Sequence, residues 1–202
     1  MKPSVLILLT TIAFATNLFA DEPRKLQINA PQDWPGEQIT LPPSFAKAMQ
    51  WKGVELIRFA PGMFDPQSES FFSYVIAFQI EQQKPVTQQV LQREFLAYYR
   101  GLASAVGKPK KADLDVSQFG LKLKEAKSTR PGATAYTGEM QWVEPFRTLK
   151  AQTLLLEADV WNNEKEKRTY VFILVSPNKK DSEIWKQMRG IRRDFFANQP
   201  AK

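Results

Sequence analysis

The clearest pattern in the chain is a pair of apolar segments, residues 51–59 and 71–80, that flank a loop at residues 60–70. Both segments are rich in β-branched and aromatic residues, which favour strands, and the loop contains two prolines and a glycine. We therefore expect a β-hairpin or two neighbouring strands with a long connection. Apolar residues occupy both faces of the second segment, as in a central strand that is covered on each side.

A helix is predicted from Thr87, which would be its N-cap, to about Val106. Gly107, followed by Lys108 and Pro109, is a typical stop signal. Apolar residues recur along this segment at helical spacing and form a stripe that consists of Leu91, Phe95, Tyr98, Leu102 and Val106.

The C-terminal half contains three candidate strands, at residues 133–143, 151–161 and 168–175, joined by links of hairpin length. Strands with such short links are antiparallel. Residues 118–124 could form a further short strand or a turn. A last helix is predicted from Asp181 or Ser182 to about Asn198, and its buried stripe consists of Ile184, Met188, Ile191 and Phe195.

Residues 21–50 contain five prolines and are expected to wrap the sheet as an irregular lead-in. Short edge strands at residues 25–29 and 38–41, and a helical turn at residues 44–50, are possible within it. The predicted order is β-β-α-β-β-β-α. We therefore expect an α+β fold, in which a single mostly antiparallel β-sheet has two main helices packed on it.

The first 20 residues have the pattern of a secretory signal peptide, with Lys2 ahead of an apolar run at residues 5–15. That run is shorter than the ~20 apolar residues that span a bilayer. Cleavage after Ala20 is favoured because the chain turns polar there; cleavage after Ala15 and an uncleaved anchor are the alternatives. We expect a periplasmic or secreted protein with one domain at residues 21–202 and no transmembrane segment in the mature chain.

The composition limits the chemistry. The chain has no Cys and no His, which excludes disulfides, Ser-His-Asp and Cys-His catalysis, and the common zinc and haem ligands. No nucleotide-binding or EF-hand motif occurs, so we expect no cofactor, no metal and no enzymatic activity. The formal net charge is +7, and for an exported basic protein lipid headgroups or acidic glycans are more plausible partners than nucleic acid.

Catalysis by carboxylates alone, as in glycoside cleavage, stays open. Glu157 and Asp159 lie two residues apart on a predicted strand and share a face with Trp161, so they could grip a sugar. The ordinary interpretation is the solvated face of an antiparallel strand. The full set of candidates is Glu55, Glu139, Glu157 and Asp159. Ser176 and Lys179 have the spacing of a Ser-Lys hydrolase, but so short a motif occurs by chance.

Two segments could contact a partner. Met63 and Phe64, within the loop at residues 60–70, either plug the core or form a contact surface for a partner protein. The last helix has a basic side that either touches an anionic surface or is simply solvated. Its candidate residues are Lys179, Lys180, Lys186, Arg189 and Arg193, with Arg192 beside them.

The closing segment, RTYVFILVSPNKKDSEIWKQMRGIRRDFF, resembles the end of PsbP-like (Mog-type) α+β domains, in which a strand leads through a polar turn into a C-terminal amphipathic helix. The order of elements is also similar. The resemblance implies a non-catalytic binding or assembly fold and carries over no site residue.

These observations predict an exported, non-enzymatic protein of the bacterial envelope that binds a partner or assists assembly. The alternatives are a carboxylate-dependent glycan hydrolase and a protein that binds an anionic surface of lipid or polysaccharide. The sequence does not indicate an oligomeric state.

Overall fold

The computed structural model describes residues 25–81 and 85–198, so the predicted signal peptide lies outside the described residues. These residues form a seven-stranded antiparallel sheet with one long helix on each face. The strands are β1 (Gly36–Leu41), β2 (Gly53–Phe59), β3 (Tyr74–Glu81), β4 (Gly120–Ala126), β5 (Thr134–Val143), β6 (Ala151–Asn163) and β7 (Arg168–Ser176). The helices are α1 (Gln88–Gly107) and α2 (Glu183–Ala197), and two 3-10 turns lie at Lys108–Lys110 and Val116–Gln118.

The strand order across the sheet is β1-β2-β3-β7-β6-β5-β4. The α+β class and the antiparallel sheet are confirmed, and the sheet has two strands more than the predicted order. The additional strands are the two edges, β1 and β4, which pair along their whole lengths with β2 and β5. They correspond to the segments at residues 38–41 and 118–124, for which the sequence indicates a possible short strand and a possible short strand or turn.

Strand β3 lies inside the sheet, between β2 and β7, and is buried at every position from Tyr74 to Ile80. The prediction of a central strand covered on both faces is therefore confirmed. The strand begins three residues later than predicted, since Phe72 lies in a turn with φ of 50°.

Helix α1 covers one face of the sheet. Its N-terminus is where the sequence predicts it, because the Thr87 hydroxyl accepts a hydrogen bond from the N–H of Val90. Leu91, Phe95 and Tyr98 face inward and pack with alternate residues of β3 and β7. Burial of these apolar side chains stabilises the layer by about 1.5–3 kcal/mol for each large side chain.

Helix α2 and the lead-in cover the opposite face. Trp185 and Phe195 of α2 belong to a core cluster that also contains Leu26 and Trp34. The possible strand at residues 25–29 is not formed, and the possible helical turn at residues 44–50 is a pair of hydrogen-bonded turns instead. Prolines next to these segments, at positions 31, 42 and 43, break regular structure but leave the apolar side chains free to pack.

Neither α1 nor α2 has the combination of length and apolar composition that a membrane-spanning helix needs, and the same holds for every other helix in the described residues.

Candidate functional site

The loop between β2 and β3 and the turn between β5 and β6 meet at one end of the sheet. The register places Tyr74 at the start of β3 opposite Val175 at the end of β7, and Val175 opposite Leu156 in β6. The rings of Phe64 and Phe146 lie 5.5 Å apart and connect the two segments directly. Residues that are distant in the sequence therefore share one surface.

The two residues of the β2–β3 loop that the sequence singled out are separated by the fold. Met63 is buried in the core, whereas Phe64 is 39% exposed. The Phe64 ring contacts the rings of Phe59 and Phe146 with only part of its surface. Both interpretations of this loop therefore apply, the core plug to Met63 and the exposed surface to Phe64.

The β5–β6 turn is held by a buried carboxylate. Glu144 is fully buried and accepts hydrogen bonds from the backbone N–H groups of Phe146, Arg147 and Thr148 and from the Thr148 hydroxyl. Leu149 follows in the left-handed region, with φ of 53°, and is 45% exposed. The bonds to Glu144 fix the backbone of the turn, so Leu149 projects from a rigid support.

We refer to Phe64, Phe146 and Leu149 as the apolar tip. In the part of the chain that the structure describes, Phe64 and Leu149 are the large hydrophobic side chains that are exposed. Leu149 was missed in the sequence because its segment was treated as a hairpin link. Two apolar residues in a link of seven, at positions 146 and 149, were the available signal.

The basic side of α2 is more neutralised than the sequence suggests. Lys186 pairs with Glu183 at 3.1 Å, Arg189 pairs with Glu157 at 2.6 Å, and Arg193, with an 81% exposed side chain, lies 3.8 Å from Asp194. Lys180 donates to the carbonyl of Leu156, and burial lowers its pKa. Lys179 is exposed.

Glu157 and Asp159 do not form a solvated face, so that interpretation is wrong. The side chain of Asp159 is 2% exposed and that of Glu157 is 13% exposed. One guanidinium nitrogen of Arg192 lies 3.1 Å from Glu157 and 3.3 Å from Asp159. Helix α2 brings this arginine, and Arg189, onto the face that a free strand would leave open to solvent.

The surroundings of this cluster shift the pKa values of the two carboxylates in opposite directions. For Asp159, burial raises the pKa and outweighs the hydrogen bond from Ser128 and the charge of Arg192. For Glu157, burial also favours a higher pKa, but the hydrogen bond from Arg189 and the charges of Arg192 and Arg189 outweigh it and lower the pKa. An acid and a base with separated pKa values are what glycosidases need.

The geometry nevertheless argues against glycoside cleavage. In a retaining glycosidase the anomeric carbon lies between carboxyl groups ~5–5.5 Å apart. Here the guanidinium of Arg192 contacts both carboxylates. The adjoining cavity, of about 230 Å³, is below the ~300–1,000 Å³ range of typical ligand pockets.

The other candidates are in different surroundings. Glu139 is exposed on β5. Glu55 is fully buried on β2 beneath α1, where it accepts a hydrogen bond from the Tyr98 hydroxyl at 2.9 Å. Ser176 is buried and its hydroxyl bonds with Ser73, which gives it a structural role.

Within the described ranges, no group of three or more acidic, His or Cys side chains is arranged to hold a metal ion. A scan against protein-family models, a search of curated proteins and a search of solved structures each found no match to the chain. The resemblance to PsbP-like domains therefore stays a prediction.

Proposed function

We propose that the protein is an exported, non-enzymatic binding or assembly-assisting protein of the bacterial envelope that contacts a partner protein through the apolar tip. The observation that carries this proposal is the exposure of Phe64 and Leu149 on two adjoining loops at one end of the sheet. Exposed apolar side chains that cluster are typical of contact surfaces.

The support beneath the tip favours binding over incidental exposure. Glu144 accepts hydrogen bonds from three consecutive backbone N–H groups, and Lys110 donates to the carbonyls of Pro145 and Phe146. A surface whose backbone is already ordered loses less conformational entropy when a partner binds. The tip therefore meets the requirement of a preorganised contact surface.

The two alternative functions have weaker support. Three of the α2 cations have acidic partners on the same chain, which reduces their attraction for an anionic surface. The carboxylate pair that a glycan hydrolase would use is bridged by Arg192.

The test replaces the exposed side chains of the tip, as Phe64→Ser with Leu149→Asn. Asparagine tolerates the left-handed backbone at position 149, and the loss of the ring contacts of Phe64 with Phe59 and Phe146 should lower the free energy of unfolding by about 1–2 kcal/mol, which leaves the domain folded. Affinity capture from envelope extract, with each protein as bait, should recover the partner about tenfold less with this variant, and its recovery by the wild type should persist at high salt.

The matched control is Lys186→Gln with Arg193→Gln, which removes two exposed charges of α2 and leaves the tip intact. This control should capture the same partner as the wild type. The proposal fails if the tip variant captures the partner unchanged, or if the α2 variant is the one that loses it.

A further inference from the structure

A pocket of about 710 Å³ lies at the end of the sheet opposite the apolar tip. It is lined by Lys52 just before β2, by Ile80 near the end of β3, by Val90 and Arg93 in α1, and by Arg168 at the start of β7. Its volume is within the ~300–1,000 Å³ range of small-molecule sites. The pocket shares no residue with the tip or with the α2 cluster, so it could serve a separate function.

Positive charge dominates the lining of this pocket. Lys52, Arg93, Lys167 and Arg168 contribute four cations, and Glu81 contributes one carboxylate, among the described residues. Glu81 lies 3.9 Å from Arg168, and the buried carboxylate of Glu94 lies 2.6 Å from Arg93, so two of the four cations have an acidic partner. Within the described residues, Lys52 and Lys167 make no ion pair. The two lysines therefore bring positive charge to the pocket without an acidic partner, and such charge favours an anionic ligand.

Trp51 adds a buried donor without an acceptor. The residue lines the pocket and is 5% exposed, and no group in the described chain accepts a hydrogen bond from its indole nitrogen. Its backbone N–H donates to Glu94, and its ring packs at 5.2 Å from the ring of Phe78. The indole nitrogen is itself closed to solvent, so Trp51 contributes an apolar part of the pocket wall, and its N–H signal can report on a ligand that binds beside the ring.

The remaining wall of the pocket is apolar and adjoins the start of α1. Ile80, Val86 and Val90 lie beside the Trp51 ring in the lining. The first turn of α1 follows directly from Val86, and the N-terminus of a helix contributes positive potential. A ligand that fits this lining has an anionic group and an apolar part.

We propose that this pocket binds a phosphate group that is attached to an apolar body, as in an aryl or alkyl phosphate. A phosphate presents only acceptor oxygens, which suits the ammonium donors of Lys52 and Lys167 in the lining. The two ammonium groups without an acidic partner, those of Lys52 and Lys167, match a dianion better than a single carboxylate. This inference does not depend on the proposed function, because the two sites lie at opposite ends of the sheet.

The direct test follows the indole N–H signal of Trp51 by NMR, assigned through its disappearance in Trp51→Phe. Phenyl phosphate should move this signal in a saturable titration, and inorganic phosphate should do so with at least about threefold weaker affinity because it lacks the apolar part. Phenol alone should leave the signal in place. Vesicles of phosphatidylcholine with phosphatidylglycerol test the lipid headgroup as the source of the same phosphate chemistry.

The variant Lys52→Gln with Lys167→Gln keeps the fold, since both side chains are exposed, and should weaken phenyl phosphate binding about tenfold. The control Lys186→Gln with Arg193→Gln on α2 should bind as the wild type does. If phosphatidylglycerol vesicles displace phenyl phosphate from Trp51, the site is supported and its ligand is a lipid headgroup; if they do not, the site is supported and its ligand is a free phosphate ester.

Four results would overturn the assignment. They are a Trp51 signal that neither phosphate compound moves, a response to phenol equal to the response to phenyl phosphate, equal affinity for the two phosphates, and an affinity that falls in the α2 control but not in the variant of the pocket. None of these results bears on the apolar tip, so the proposed function would stand or fall separately.

Discussion

Under α1, Glu55 is buried with a tyrosine hydroxyl as its partner, whereas under α2 Glu157 and Asp159 are buried against two arginines. The described residues offer no hydrogen-bond donor to the second carboxylate oxygen of Glu55. Burial raises the pKa of Glu55 to about 7, against the hydrogen bond from Tyr98 and with a smaller contribution from the charge of Glu37.

The difference lies in how the loss of water is compensated at Glu55 on one face and at Glu157 and Asp159 on the other. Under α2 the arginines replace the hydration of Glu157, whose pKa stays low, and replace only part of that of Asp159, whose pKa is raised by burial. Under α1 no cation replaces it, so Glu55 is neutral over part of the physiological range. The two sites therefore differ in pH response: Glu55 changes charge near neutrality, and the carboxylates under α2 depend on the arginines.

The largest expected effect comes from Arg192→Met, which makes the α2 face resemble the α1 face. Removing one partner of a buried ion pair leaves an uncompensated charge and costs about 3–5 kcal/mol. Urea denaturation at neutral pH should show this loss. Arg193→Met, at a position with an 81% exposed side chain, should change stability by less than about 0.5 kcal/mol. Equal effects of the two substitutions would contradict the account of the cluster.

The second prediction concerns Glu55→Gln and the pH dependence of stability. The folded pKa of Glu55 is above its unfolded value of 4.5, so its ionisation destabilises the fold progressively as the pH rises from about 4.5 to about 7. The glutamine variant lacks this loss. Its free energy of unfolding, relative to the wild type, should increase by about 3 kcal/mol across that window and stay constant above it.

Urea denaturation at several pH values measures this difference directly. Glu139→Gln, at an exposed position of β5, is the matched control, and its free energy of unfolding should change with pH as that of the wild type does. A constant difference between Glu55→Gln and the wild type from low to high pH would show that the carboxyl does not titrate as the structure indicates.

The smallest effect should come from Ser128→Ala, which removes the hydroxyl that donates to Asp159. The loss of a hydrogen bond to a charged group should cost about 1–2 kcal/mol, and the pKa of Asp159 should rise further because burial is then less opposed. The pKa can be read from the carboxyl carbon signal by NMR. Ser104→Ala, at an exposed helix position, should leave both quantities unchanged.

Periodicity within single segments was enough to predict α1, its Thr87 cap and the buried strand β3, because each depends on residues close in sequence. The edges β1 and β4 were harder to predict, since each has only one strand neighbour and is partly exposed. Their pairing with β2 and β5 is a tertiary contact that leaves a weak periodic signal.

The surroundings of the charged residues could not be predicted for a related reason. The burial of Asp159 depends on Arg192, which is 33 positions away and arrives only when α2 docks. The exposure of Leu149 depends on the bonds that Glu144 makes to its own turn. In both cases the sequence pattern shows that the residue lies in a strand or a link, but it does not show which other residue determines whether the side chain is buried or exposed.

The pairing of β3 with β7 joins residues 74–81 to residues 168–176, so the interior of the sheet is completed by the last strand of the chain. During synthesis, a chain that ends before residue 168 would leave the long edge of β3 unpaired and its apolar side chains without their neighbours. Contacts of such sequence separation make folding slow. A protein that acquires the centre of its sheet last cannot complete its fold until nearly all of the chain has emerged.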